Sequence, residues 1–170
     1  MIEKESRWIM NYIVRQAVLQ DLPRLEEIYA YARKFMAENG NPTQWGTTNP
    51  PVERLVKDIQ EGNLYVVTED TQIHGVFFFG LGVDPTYLKI YDGEWSSNEA
   101  YGTIHRIAGD GSGGILRTAV DFAKTRISYV RIDTHENNAV MHGALKKLGF
   151  RRCGIVFLEN GSPRIAYDWK

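Results

Sequence analysis

Between Tyr101 and Phe150 the chain reads YGTIHRIAGDGSGGILRTAVDFAKTRISYVRIDTHENNAVMHGALKKLGF, and no other segment narrows its folds as far. The pattern predicts a strand, a glycine-rich turn, a helix, a second strand, a polar corner and a second helix. Ile115, Leu116, Ala119, Val120, Phe122 and Ala123 recur at helical spacing, with Arg117, Asp121 and Lys124 off that face. Residues 129–132 read as a short strand. Met141, Leu145 and Leu148 form another helical stripe, which Gly149 ends as a left-handed cap.

The flanking sequence supplies the rest of a sheet. Residues 12–16 (YIVRQ) predict a first strand, and Asp21 is placed to cap a helix that stops at Gly40, with Pro23 in its first turn. NPTQWGTTNPP (41–51) is turn chemistry, and VERLVKDIQEG predicts a second short helix. Residues 64–68 and 73–81 read as paired strands, and residues 151–158 and 164–169 as a closing hairpin around ENGSP. The expected class is α/β, of an α+β-like kind: a mixed, largely antiparallel sheet with one parallel strand–helix–strand crossover and helices on both faces.

The length of 170 residues fits one domain, with residues 1–11 as a peripheral extension. A net charge of −1 gives no general attraction to nucleic acid or anionic lipid. The single cysteine, Cys153, forms no internal disulfide, and MIEKESRWIMNY lacks a signal-peptide core. These features point to the cytoplasm, with no nucleic-acid or membrane partner.

The glycine turn is where chemistry is expected. Gly109, Asp110, Gly111, Ser112, Gly113 and Gly114 open a helix, so several N–H groups face the positive end of its dipole and form an anion site. A phosphate-binding loop of the G-x-x-x-x-G-K-[ST] type fails, because Ile115 and Leu116 follow the last glycine. Gly109, Gly111 and Gly114 fit the dinucleotide fingerprint G-x-G-x-x-G, with Asp133 placed as a ribose-binding acid. A nucleoside site of the methyltransferase type looks much the same. Only one helix and a hairpin follow Asp133, however, too little for repeated βαβ units.

The third reading covers more of the chain. From Ile104 to Phe150, and more loosely over residues 12–169, the sequence resembles the GNAT-type N-acetyltransferase superfamily. Gly111 and Gly113 occupy the small-residue positions of its [QR]-x-x-G-x-[GA] acyl-CoA loop, and Asn138 with Lys147, Leu148, Gly149 and Phe150 matches its second signature. IHRIA, RIDTHENN and LKKLGFRRCGI are similar to a bacterial branch of unassigned substrate. Two positions depart from the pattern: Ala108 stands where the first [QR] belongs, and Leu145 stands where a tyrosine is common.

The resemblance implies an acetyl-CoA-dependent N-acetyltransferase that transfers directly to a primary amine, carried by a small molecule or a peptide. It implies that acetyl-CoA, the co-substrate, is held by Ile107, Ala108, Gly109, Gly111, Ser112, Gly113, Gly114 and Asn138. In that arrangement the strand 103–108 lies along the pantetheine arm and Gly111–Gly114 along the pyrophosphate. The departures at Ala108 and Leu145 keep open an acyl-CoA-binding or sensing domain with little catalysis.

A lysine-like amine with a pKa of about 10 must lose a proton before it attacks. Histidine is the side chain suited to proton transfer near neutral pH, and His105 is the expected base. Strand alternation sends Arg106 to the opposite face, into a structural ion pair. Asp133, Thr134, His135 and Glu136 lie at a strand end beside the expected cleft, with His135 a substrate contact. Trp45 and Trp95 are expected to wall the acceptor pocket. No convincing metal-ligand spacing occurs. The closing hairpin and Trp169 offer a surface for an isologous homodimer.

Overall fold

In the computed structural model, which describes residues 11–170, seven strands form one sheet flanked by four helices. In chain order these are β1 (Ile13–Gln16), α1 (Leu22–Glu38), α2 (Val52–Gln60), β2 (Leu64–Glu69), β3 (Gln72–Leu81), β4 (Gly102–Gly109), α3 (Ile115–Arg126), β5 (Val130–Thr134), α4 (Ala139–Lys147), β6 (Arg151–Phe157) and β7 (Pro163–Trp169). The strand order is β1-β2-β3-β4-β5-β7-β6. Every neighbouring pair is antiparallel except β4 and β5, which the α3 crossover joins in parallel. The expected class and element order therefore hold. The expected extension at residues 1–11 lies outside the described residues except for Asn11.

Each face of the sheet has its own cover. Leu25, Ile28, Tyr29 and Ala32 recur at helical spacing along α1 and bury against Leu64, Val66, Val76 and Ala108, with Leu55 of α2 beside them. On the opposite face Ile115, Ala119, Val120 and Ala123 of α3 and Leu145 of α4 pack on Phe77, Phe79, Ile104, Ile132 and Ile165. A third cluster, with Tyr87, Tyr101, Tyr129 and Ala166, sits under the long connection between β3 and β4. Among the described residues no helix is long and apolar enough to cross a membrane.

Two irregularities of β4 shape the middle of the sheet. The parallel pairing with β5 lasts only through Gly102 opposite Val130 and Thr103 opposite Arg131, after which the two strands separate. Against β3 the register shifts: Val76 faces Ala108, yet Phe78 faces His105, so β4 carries one extra residue, a bulge. Arg106 sits in that bulge at φ +49°, an uncommon conformation for a residue with a side chain. The bulge breaks the alternation on which the sequence expectation for Arg106 rested. Both His105 and Arg106 line the same cleft, although Arg106 does form the expected ion pair.

Candidate active site

Where β4 and β5 part, a cleft of about 1050 Å³ opens between them, the α1–α2 loop and the β3–β4 connection. Thr103, Ile104, His105, Arg106 and Ile107 line it from β4, and Ile132, Asp133 and Thr134 from β5. Trp45, Asp84 and Arg164 close it from other elements. The bulge frees the Arg106 carbonyl from the ladder, and the Tyr29 hydroxyl of α1 donates to it at 2.6 Å. The Arg106 Nε donates to Asp58 Oδ2 of α2 at 2.8 Å, and its guanidinium lies 4.6 Å from the Phe78 ring centre. Burial raises the Asp58 carboxyl above its usual range even though the Arg106 charge opposes it.

His105 stands between two carboxylates. Its Nε2 is 2.7 Å from Asp84 Oδ2, and its Nδ1 is 3.8 Å from Asp133 Oδ2. Asp84 is itself held, because its Oδ1 accepts from the Thr86 N–H at 2.9 Å and its own N–H donates to the Tyr101 hydroxyl. Burial works to raise the Asp84 carboxyl, but the His105 contact and the Thr86 N–H outweigh it and hold it low. Asp133 accepts from the Tyr87 hydroxyl at 2.6 Å. An ionised Asp84 favours the tautomer with hydrogen on Nε2, which leaves Nδ1 as an acceptor. A carboxylate fixing an imidazole through one nitrogen, with the other left as an acceptor, is an arrangement suited to a general base.

The glycine loop follows β4 and lies outside the lining of this cleft. Gly111, Gly113 and Gly114 have φ of +91°, +86° and +76°, values that glycine adopts without a side-chain clash. Asp110 braces the turn: it accepts from Ser112 N–H and from Arg24, and it meets His74 Nδ1 at 2.8 Å. The N–H groups of Gly113, Gly114, Ile115 and Leu116 donate no hydrogen bond among the described residues. Among the described residues a Cβ built on Gly113 would meet nothing within 4 Å, so space adjoins these donors at the start of a 12-residue helix. Free donors, a helix N-terminus and adjoining space fit a phosphate group.

The remaining sequence candidates fall into two groups. Ile107 and Trp45 line the cleft, and Trp45 packs edge-on to Tyr29 at 5.5 Å. Ala108 is buried against Val76, and Gly109 pairs with Gly75, so both lie in the β3–β4 ladder. The Ser112 hydroxyl meets His74 at 3.1 Å. Asn138 caps α4, its side chain accepting from Met141 N–H and donating to Gln44. Trp95 lies away from the cleft lining. It packs on Tyr87 at 5.1 Å, donates to the Tyr87 carbonyl, and has the Arg131 guanidinium over its ring at 4.0 Å. His135 also stands outside the lining, where burial lowers its pKa. Its Nδ1 accepts from Asn137 N–H and its Nε2 faces the Thr43 hydroxyl. Leu145 is fully buried in the main core.

Sequence reasoning missed Asp84, Tyr87 and Asp58. The first two come from a connection without periodic pattern, and Asp58 looked like one more polar residue of an amphipathic helix.

No protein-family model matches the sequence, and no curated protein matches it. Solved structures do. A GNAT-family acetyltransferase from Streptococcus agalactiae superposes with a TM-score of 0.83 at 28% identity, over 95% of this chain and 96% of that one. A GNAT-family acetyltransferase from Listeria monocytogenes gives 0.68 at 18% identity, over 94% and 95%. A Salmonella typhimurium protein solved with its cofactor acetyl-CoA gives 0.58 at 13% identity, over 94% and 93%. The likeness covers nearly the whole chain, and the fold is that of the GNAT-family acetyltransferases.

Proposed function

We propose that this chain is an acetyl-CoA-dependent N-acetyltransferase that transfers an acetyl group directly to a primary amine, with the cleft as its site. The observation that carries the reading is the parting of β4 and β5, with His105 held by Asp84 at the opening and the glycine loop beyond the end of β4. The donor groups of Gly113, Gly114, Ile115 and Leu116 are suited to the pyrophosphate of the co-substrate. The unpaired residue of the bulge supplies backbone groups to the pantetheine end, with the Ile107 N–H as the candidate donor to a thioester carbonyl. Bound acetyl-CoA would bring an activated acetyl group; the chain's part is to orient it and to take a proton from the amine.

His105 Nδ1 is the proton acceptor in this reading. Asp84 fixes the ring and stabilises the imidazolium that forms, and Asp133, held by Tyr87, offers a carboxylate to the incoming ammonium. Direct transfer accords with this set, because among the described residues the cleft lining holds no cysteine or serine to carry the acetyl group. Asn138, engaged as a helix cap, contributes to this site by fixing the start of α4. The reading places the chain in the cytoplasm, where acetyl-CoA is supplied, and leaves the closing hairpin as the surface for a homodimer.

Thermal shift with acetyl-CoA, NAD and S-adenosylmethionine tests the cofactor. Stabilisation by acetyl-CoA alone is expected. A larger shift with either nucleotide-type cofactor than with acetyl-CoA would overturn the reading.

A further inference from the structure

The cleft contains a buried cation that the chemistry above does not use. Arg164 of β7 is 6% exposed and lines the cleft. Among the described residues its guanidinium bonds only neutral oxygens: Ser162 Oγ at 2.6 Å, the Pro163 carbonyl at 2.9 Å and the Gln44 carbonyl at 3.3 Å. It carries more N–H groups than these three bonds use. Buried guanidinium groups ordinarily face a carboxylate, because burying a charge without one is costly. Asp133 lies near enough to favour the charge but forms no ion pair with it, and burial lowers the Arg164 pKa. The cleft's other arginines do not resemble it. Arg106 is paired with Asp58, and Arg54 is exposed at the rim with Glu61 and Glu159.

The register fixes where this cation sits. Asp133 faces Ala166 across the β5–β7 pair, and Arg164 is two residues from Ala166 on β7, so Asp133 and Arg164 share a face of the sheet. His105 joins that face, since Asp133 Oδ2 is 3.8 Å from its Nδ1. Thr103 lies two residues before His105, and among the described residues its buried hydroxyl has no hydrogen-bond partner while lining the same cleft. One face thus offers carboxylates and an imidazole, then an unused hydroxyl and an unpaired guanidinium. Such a surface complements a molecule with an amine and a single negative charge. A doubly charged phosphate would call for a second unpaired cation, which the cleft's buried wall does not supply.

Resting on the acetyltransferase reading, we propose that the acceptor is an amine bearing a carboxylate, of the amino-acid class, and that Arg164 is the residue that recognises that carboxylate. Arg164 completes its hydrogen bonds through a charge-assisted pair with the acceptor and orients the amine toward His105. It acts on specificity, through KM for the acceptor, and leaves proton removal to His105.

The test compares free L-amino acids with their carboxamides in matched pairs, by CoA release and by calorimetric titration of the protein alone. For the best pair the acid is expected to exceed the amide by roughly tenfold or more in kcat/KM, chiefly through KM. Arg164→Gln should bring that ratio close to one, and Arg164→Lys should keep part of it. Circular dichroism melting establishes that each variant is folded, and Arg164→Lys serves alone if the glutamine variant does not fold. Equal handling of acid and amide by the unaltered chain overturns the proposal, as does an unchanged ratio in the variants. Loss of acetyl-CoA affinity in Arg164→Gln with the ratio intact would assign the cation to the co-substrate phosphates and also overturn it. If no amine is acetylated, titration still decides. Binding of acids over amides that Arg164→Gln abolishes would uphold the anion site while the acetyltransferase reading fails, and no preference would overturn both.

Discussion

At the scale of single residues, the account turns on His105 and the carboxylate behind it. His105→Ala should lower kcat roughly 10²–10⁴-fold with little change in KM for acetyl-CoA. It should also remove the acid limb of the pH–rate profile, because that limb reports protonation of the base. Near-normal turnover would make His105 structural. Asp84→Asn should cost roughly 10²-fold by releasing the tautomer, while His105 stays in place. His105 was legible in the sequence, since a histidine on the strand before a glycine loop is easily singled out. Asp84 was not, because it lies 21 positions away across an irregular connection. Trp95 shows the opposite limit: a loop tryptophan signals burial of a large ring but not which side of the loop receives it.

At the scale of elements, the periodic segments were legible and the irregular ones were not. The stripes of α1 and α3 and the short, largely buried runs of β2 and β7 follow from packing on a sheet covered on both faces, so spacing and composition reveal them. The bulge in β4 leaves no such trace, because nothing in His-Arg-Ile signals a left-handed arginine. That bulge turns Arg106 toward Asp58 and ties β4 to α2. Arg106→Leu should therefore strand a carboxylate that is 2% exposed and destabilise the fold by about 3–5 kcal/mol in chemical denaturation. A loss under 1 kcal/mol would show that the pair is not structural. In the glycine loop, Gly113→Val adds a side chain in open space at φ +86°. Strain of about 1–2 kcal/mol is expected, with the fold kept and acetyl-CoA affinity lowered. Unchanged affinity in the folded variant would remove the loop from the phosphate site.

At the scale of the whole molecule, the long β3–β4 connection is held to the sheet by Asp168. This carboxylate is 1% exposed and accepts from Ser96 N–H, Ser96 Oγ and Tyr129 OH, each at 2.7 Å. Burial pushes its pKa up, but these donors outweigh burial and hold it below the usual carboxylate range. The sign follows from linkage. A carboxyl whose folded pKa lies below its unfolded value of about 3.9 adds stability that is present above about pH 4 and lost as pH falls through the folded value. Asp168→Asn should lower stability at neutral pH by about 2–4 kcal/mol and flatten the loss of stability below about pH 4. An acid-unfolding curve identical to that of the unaltered chain would exclude this contribution.

The central claim is that the cleft between the parted strands transfers acetyl groups with His105 as base. Its most direct measurement follows CoA release and the acetylated amine together, by thiol titration and mass spectrometry, for an amine panel with the unaltered chain and with His105→Ala. The account predicts stoichiometric CoA and N-acetyl product from the unaltered chain, and at least a hundredfold slower formation of both by the folded variant. CoA release without acetylated amine, or equal rates from the two proteins, would contradict it.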